Sequence, residues 1–201
     1  MSERAPLRER NRARTRSEIR EAARRAFHKQ GYENTTLDQI AEAAVVSVRT
    51  LLRHFESKEQ LALASMNDAL ESFRQTVTNP DRQIDTLHCW RQHVEYFSSQ
   101  PGDEKKELFA FVYGNPALRG GRASINDQLE DLMAQELAKD ARQEIRLEHR
   151  LQAAFVVAGN SSVTRRWLHE GGTGDLTTQC LAVVDYAIAN FSAGRKLRGV
   201  T

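Results

Sequence analysis

Residues 47–55 carry a set of side chains able to grip a polyanion. Ser47 is a good N-cap, and Leu51 and Phe55, four apart, are the packing pair of the short helix behind it. Val48, Arg49, Thr50, Leu52, Arg53 and His54 then spread around its exposed side. Arg49 could hold a guanine edge bidentately, the commonest specific contact to a base, while Val48 and Thr50 suit thymine methyls or a phosphate. Arg53 adds charge, and His54 either packs or donates from its neutral ring to a phosphate. Upstream, Thr36 with Gln39 makes a capping-box pattern, with Thr35 and Asp38 a rival one residue earlier. A helix starting there turns free N–H groups toward a phosphate, and Lys58 is a further phosphate candidate.

The elements that must position these residues read as helices throughout. Arg4, Arg8, Arg10, Arg12, Arg14 and Arg16 are interleaved with little that is apolar, and residues 1–13 are expected to be a flexible basic arm, either solvated or following a duplex backbone or minor groove. Ile19, Ala22, Ala23, Ala26 and Phe27 then form one stripe of an amphipathic helix that stops at Gly31. Leu37, Ile40, Ala41 and Ala44 mark a short second helix, Ser47 to Phe55 a third, and Ser57 to Val77 a fourth. Two short helices joined by a tight turn inside a basic segment make a helix-turn-helix, whose second helix enters the major groove.

Five more apolar periodicities follow, over Ile84–Phe97, Leu108–Tyr113, Ile125–Leu137, Leu147–Trp167 and Leu176–Phe191. Gly159-Asn160-Ser161-Ser162 weakens the eighth helix, and Gly171-Gly172-Thr173-Gly174 is a break. No segment alternates as a strand does, so the expected fold is all-α. It has about nine helices: a helix-turn-helix domain over residues 14–60 and a helical domain over residues 61–201.

At 201 residues the chain can bury a real core, and 40% hydrophobic with 28% charged residues excludes a disordered protein. The net charge of +2 hides an asymmetry. Residues 1–58 hold thirteen Lys and Arg against eight Asp and Glu, while the remainder holds sixteen against nineteen, which suggests a polyanion-binding head on a body with other work. The longest apolar run, Ala153–Ala158, is far short of the ~18 residues of a membrane span, and no secretory signal follows Met1. Two cysteines, Cys89 and Cys180, are too few for a disulfide framework, so a cytoplasmic setting is expected, at the nucleoid when DNA is bound. No nucleophile elbow, phosphate loop or zinc-protease pattern occurs, and neither enzyme activity nor a cofactor is expected. His88 and His93, five apart, fit one helical face poorly, so no metal is expected either. Ser161 and Ser162 near His169 are not singled out as a triad by any physical feature.

The stretch Ala22-Ala23, Phe27, Gly31-Tyr32, Thr35-Thr36-Leu37, Ile40-Ala41, Val46-Ser47, Thr50-Leu51, His54-Phe55, Ser57-Lys58-Glu59 and Leu61 resembles the N-terminal domain of the TetR family of bacterial transcriptional regulators. The match runs without gaps over about residues 14–62; Trp167 followed by Glu170-Gly171-Gly172 and a final amphipathic helix is similar to the end of many members. The resemblance implies a homodimeric repressor of a palindromic double-stranded DNA operator, with no membrane partner and with a small effector bound between the middle helices. It places DNA contacts on Thr36, Val48, Arg49, Thr50, Leu52, His54 and Lys58, to which the helix itself adds Ser47 and Arg53 as candidates. Cavity candidates are Trp90, Val94, Phe97, Phe109, Tyr113, Phe155 and Trp167, each of which would equally serve as core. A dimer built on the last two helices would use Phe155, Gly159, Val163, Cys180, Val184 and Ile188.

Two positions depart from the family pattern. Val45 stands where the turn usually has Gly, and a β-branched residue at positive φ is strained, so an altered turn is expected. Leu52 stands where Tyr usually contacts a phosphate, a loss of roughly 1 kcal/mol. The rival readings are a DNA-binding or architectural protein without an effector, and an enzyme built on the helical body.

Overall fold

The computed structural model describes residues 7–98 and 102–191, and among them every regular element is helical. The chain divides into two compact units, Met1–Ser65 and Met66–Thr201.

In the first unit α1 (Leu7–Gln30) packs on α2 (Leu37–Ala43) and α4 (Lys58–Ala62), and α2 packs on α3 (Val48–His54). The buried stripe of α1 is Ile19, Ala22, Ala23 and Phe27; it meets Ile40 and Ala41 of α2, Leu51 of α3 and Phe55 just beyond it in one small core. Residues 7–13, expected as an arm, are the first turns of α1; residues 1–6 lie outside the described residues. Leu, Arg and Ala are good helix formers, and extending an existing helix avoids the cost of a new nucleus. The expected fourth helix is two: α4 ends at Ala62 with Leu63 as its C-cap, and α5 (Ala64–Val77) follows at once.

In the second unit α6 (Thr86–Ser98) and α9 (Leu147–His169) both pack on α10 (Leu176–Phe191), and α8 (Arg119–Asp140) packs on α9 and α6. Helix α7 (Gly102–Gly114) and the 3-10 turn η1 (Pro116–Leu118) complete it. The ten α-helices of the described residues exceed the expected nine because of the α4–α5 break. Helix α9 runs straight through Gly159-Asn160-Ser161-Ser162. A Cβ on Gly159 would lie 2.6 Å from Val183 Cγ1, so the glycine permits a close approach of α9 and α10 that repays its poor helix propensity. No helix of the described residues is long and apolar enough to cross a membrane.

Candidate functional site

The residues around α3 are fixed by short-range bonds before any tertiary packing is counted. Thr36 caps α2 with both arms of the capping box: its hydroxyl accepts from Gln39 N at 3.2 Å, and Gln39 Oε1 accepts from Thr36 N at 3.0 Å. The Thr35–Asp38 alternative is not used; the Thr35 hydroxyl donates instead to Gly31 O at 2.7 Å. Ser47 caps α3, accepting from Thr50 N at 3.1 Å, and the two hydroxyls share a bond of 2.9 Å. The turn between the helices keeps its left-handed residue despite the β-branch: Val45 adopts φ 55° and is 91% exposed. Two bonds hold it there, from Val45 N to Glu42 O at 3.0 Å and from Val46 N to Ala41 O at 2.9 Å.

Leu51 and Phe55 are buried, and Arg49, Leu52 and Arg53 are exposed, so α3 shows one packed and one open side. Val48, Thr50 and His54 are half-buried at its margins, and Thr36 and Ser47 are exposed. Arg16 holds the far end of α3 from α1: its guanidinium lies 4.3 Å from the centre of the Phe55 ring and Nη1 donates to His54 O at 3.1 Å. Burial lowers the pKa of His54, and the charges of Arg53, Arg12 and Arg16 lower it further.

Lys58 is committed more deeply than a surface phosphate ligand. Nζ donates to Tyr32 O at 2.9 Å and to Thr35 O at 3.0 Å, and sits 4.3 Å from the centre of the Tyr32 ring. Two of its three N–H bonds thus tie the loop before α2 to the start of α4. The sequence flagged Lys58 by charge and could not reveal this second use, because the acceptors are backbone carbonyls.

A cavity of about 170 Å³ opens inside the second unit. Of the residues named from the sequence, Trp90, Val94, Phe97, Phe109 and Tyr113 line it. Phe155 and Trp167 do not. Phe155 is 39% exposed beside Tyr186 and Phe191, with ring centres 5.5 and 5.3 Å apart. Trp167 is buried elsewhere, its Nε1 donating to Gly174 O at 3.2 Å and so pinning the glycine break before α10.

Sequence reasoning missed the polar groups of the lining: His93, Asn126, Asn160, Ser161 and Thr164. His93 lies against Trp90, Phe97 and Phe73, with ring centres 5.2, 4.6 and 5.4 Å away, and desolvation lowers its pKa to about 4. Asn126 Nδ2 donates to Ser161 Oγ at 3.3 Å. Asn160, its amide turned to satisfy both ends, donates to Cys180 O at 3.1 Å and accepts from Trp90 Nε1 at 3.2 Å. Burial raises the Tyr113 pKa and keeps its hydroxyl protonated. Among the described residues no Asp, Glu, Lys or Arg lines the cavity. Polar residues three or four places from apolar lining residues were the available signal, His93 after Trp90 above all.

Three residues expected at a dimer contact are used within the chain. Cys180 is buried and lines the cavity, Val184 is fully buried, and Gly159 faces Val183. Val163 and Ile188 are half-buried.

Residues 19–65 match the family model described as bacterial regulatory proteins, tetR family. In this segment the chain is similar to the TetR family. The transcriptional regulator TcmR of Streptomyces glaucescens is 48% identical over 67 residues, which cover 33% of this chain and 30% of that protein. The match therefore spans under a third of the relative's own length. Among solved structures, SmeT, the repressor of the Stenotrophomonas maltophilia multidrug efflux pump SmeDEF, is 21% identical with a TM-score of 0.63, covering 87% of this chain and 88% of its own. A complex of SmeT with triclosan has the same identity and a TM-score of 0.64, over 87% of this chain and 90% of that one. Thermus thermophilus FadR, bound to lauroyl-CoA, is 19% identical with a TM-score of 0.61, over 92% and 99%. At these identities the likeness is one of fold: a helix-turn-helix head followed by a helical body.

Proposed function

We propose that this TetR-family chain is a homodimeric repressor that reads a palindromic operator through α3 and is released by a small molecule taken into the cavity of its second unit. The observation that carries this reading is the two-sided α3: Leu51 fixes the helix in the head, and Arg49, Leu52 and Arg53 are left to water. Arg49 reads a base edge, Val48 and Thr50 flank it, Thr36 and Ser47 sit by the backbone, and Lys58 reaches a phosphate with its remaining N–H. Leu52 makes apolar contact in place of a phosphate bond.

Dimerisation rests on an apolar stripe that one chain leaves open. Leu147, Leu151 and Phe155 follow at four-residue spacing on α9, and Tyr186 joins them from α10, with exposures of 62, 50, 39 and 57%. Val163 and Ile188 flank the stripe as further candidate contacts. Two copies joined there would present two α3 helices to half-sites about one helical turn apart.

The cavity favours an effector-controlled regulator over one without an effector. Among the described residues its walls are mostly aromatic and aliphatic with no formal charge, which suits an uncharged, largely apolar occupant. SmeT with triclosan and FadR with lauroyl-CoA are precedents in the same fold. Nothing in this reading calls for catalysis, and it places the protein on DNA in the cytoplasm.

The test is binding of the full chain to duplexes recovered by selection from a random pool. One preferred palindrome, bound by a dimer, is expected, with Arg49→Ala weakening it by about 1–3 kcal/mol while far-UV helicity is unchanged. A monomer that ignores every duplex at low salt overturns the proposal.

A further inference from the structure

Helix α1 runs for about three turns before its first buried residue, Ile19. Arg8, Arg12 and Arg16 succeed one another at four-residue spacing on this overhang, and Ile19 and Ala23 continue the same face into the core. The face that packs within the head therefore becomes, toward the N-terminus, a row of arginines on the side of α3. Contacts fix this direction: Arg16 bonds to His54 O and covers Phe55, and Arg12 is near enough for its charge to act on the His54 ring. The charges that act on His54 are all positive: Arg53, Arg12 and Arg16.

The opposite face of α1 is different. Arg14 pairs with Glu18 at 3.7 Å, and Arg24 and Arg25 both reach Glu21 at 3.0 Å. Among the described residues Arg8 and Arg12 make no ion pair, although both are exposed. Carboxylates thus pair with Arg14, Arg24 and Arg25 away from α3, while Arg8 and Arg12, on the side of α3, keep their guanidinium groups for an external anion.

We propose that Arg8 and Arg12, on the helical overhang of α1, bind duplex phosphates beside the groove that receives α3 and so extend its footprint. The proposal rests on the DNA-binding reading above and adds a surface to it. A helical overhang holds both guanidinium groups in place, so their contact with phosphate loses less entropy than that of a flexible arm. Phosphate contacts of this kind carry no sequence information; their signature is salt dependence.

The experiment is fluorescence anisotropy of the full chain on a labelled duplex of arbitrary sequence, long enough for two half-sites, titrated with KCl. Arg8→Ala/Arg12→Ala is expected to flatten the slope of log K against log salt by about 1.8, near 0.9 for each lost phosphate. Arg8→Lys/Arg12→Lys should keep the slope, and Arg10→Ala/Arg14→Ala, which removes the same charge from the outer face, should leave it unchanged. Circular dichroism establishes that each variant keeps its helices. If the wild-type chain binds and the Arg8/Arg12 alanine variant retains the full slope, the overhang contact is overturned and the DNA-binding reading stands. Equal flattening by the Arg10/Arg14 variant overturns it too, since general charge would then suffice. A wild-type chain that binds no duplex overturns both.

Discussion

Arg16 in α1 donates from Nη1 to the main-chain carbonyl of His54, 38 residues away, at 3.1 Å. The same guanidinium covers the Phe55 ring, so one side chain closes the C-terminal end of α3 by a hydrogen bond and a cation–π contact. Arg16→Ala should destabilise the head by about 1–2 kcal/mol and speed hydrogen exchange in the last turn of α3. Arg16→Lys should recover little, because lysine lacks the planar fork that spans carbonyl and ring. Exchange at Phe55 and its neighbours that is unchanged in Arg16→Ala would show the contact to be idle.

The turn stores strain at a site that needs no side chain. Val45 is 91% exposed at φ 55°, where a β-branched residue costs about 1–2 kcal/mol. Glycine there removes the strain but adds roughly 0.5–1 kcal/mol of unfolded-state entropy. Val45→Gly should therefore raise stability by up to about 1 kcal/mol, read as a small upward shift in the thermal midpoint. A fall in that midpoint would mean the valine packs against something in solution.

Asp140, at the end of α8, holds the first residue of α6, which Asp85 caps locally by accepting from His88 N at 2.9 Å. Asp140 Oδ2 accepts from Thr86 N at 2.7 Å and from Thr86 Oγ1 at 2.6 Å, while Oδ1 pairs with Arg82. Asp140→Ala leaves the fully buried Thr86 hydroxyl without this acceptor and the largely buried Arg82 guanidinium with only Ile84 O and Glu136, and should cost about 2–4 kcal/mol in denaturant melts. Asp140→Asn keeps an acceptor and should cost less. Equal losses would assign the whole effect to charge.

His93 gives the second unit a defined acid response. Its pKa is lowered by burial to about 4 from an ordinary 6.5, so between these values the unfolded chain binds a proton that the folded chain refuses. Stability contributed by the neutral ring is complete above pH 6.5 and is lost as pH falls toward 4, by up to roughly 3 kcal/mol. Carboxylates also titrate in this range, so the readout is the difference between wild type and His93→Phe, which should shrink the pH dependence. Parallel stability curves for the two proteins would rule this out.

How far the sequence reached differs between the two units. Capping and packing around α3 rest on bonds three or four residues long, and such spacings are written in the chain: Thr36 with Gln39, Ser47 with Thr50, Leu51 with Phe55. The helical class followed from the same periodicity. The break at Leu63 escaped detection because its apolar pattern continues unbroken from α4 into α5.

Only the tertiary structure could decide which apolar residues face a cavity, a core or water, since periodicity marks a buried face and not its neighbour. Phe155 and Trp167 look alike in the chain, yet one lies half open beside Tyr186 and the other pins Gly174. Cys180 and Val184 belong to the interior for the same reason: α6 and α9 cover them from either side, a choice made by segments far away in sequence. Lys58 and Arg16 complete the point, because their partners are backbone carbonyls, which carry no residue identity for a sequence to display.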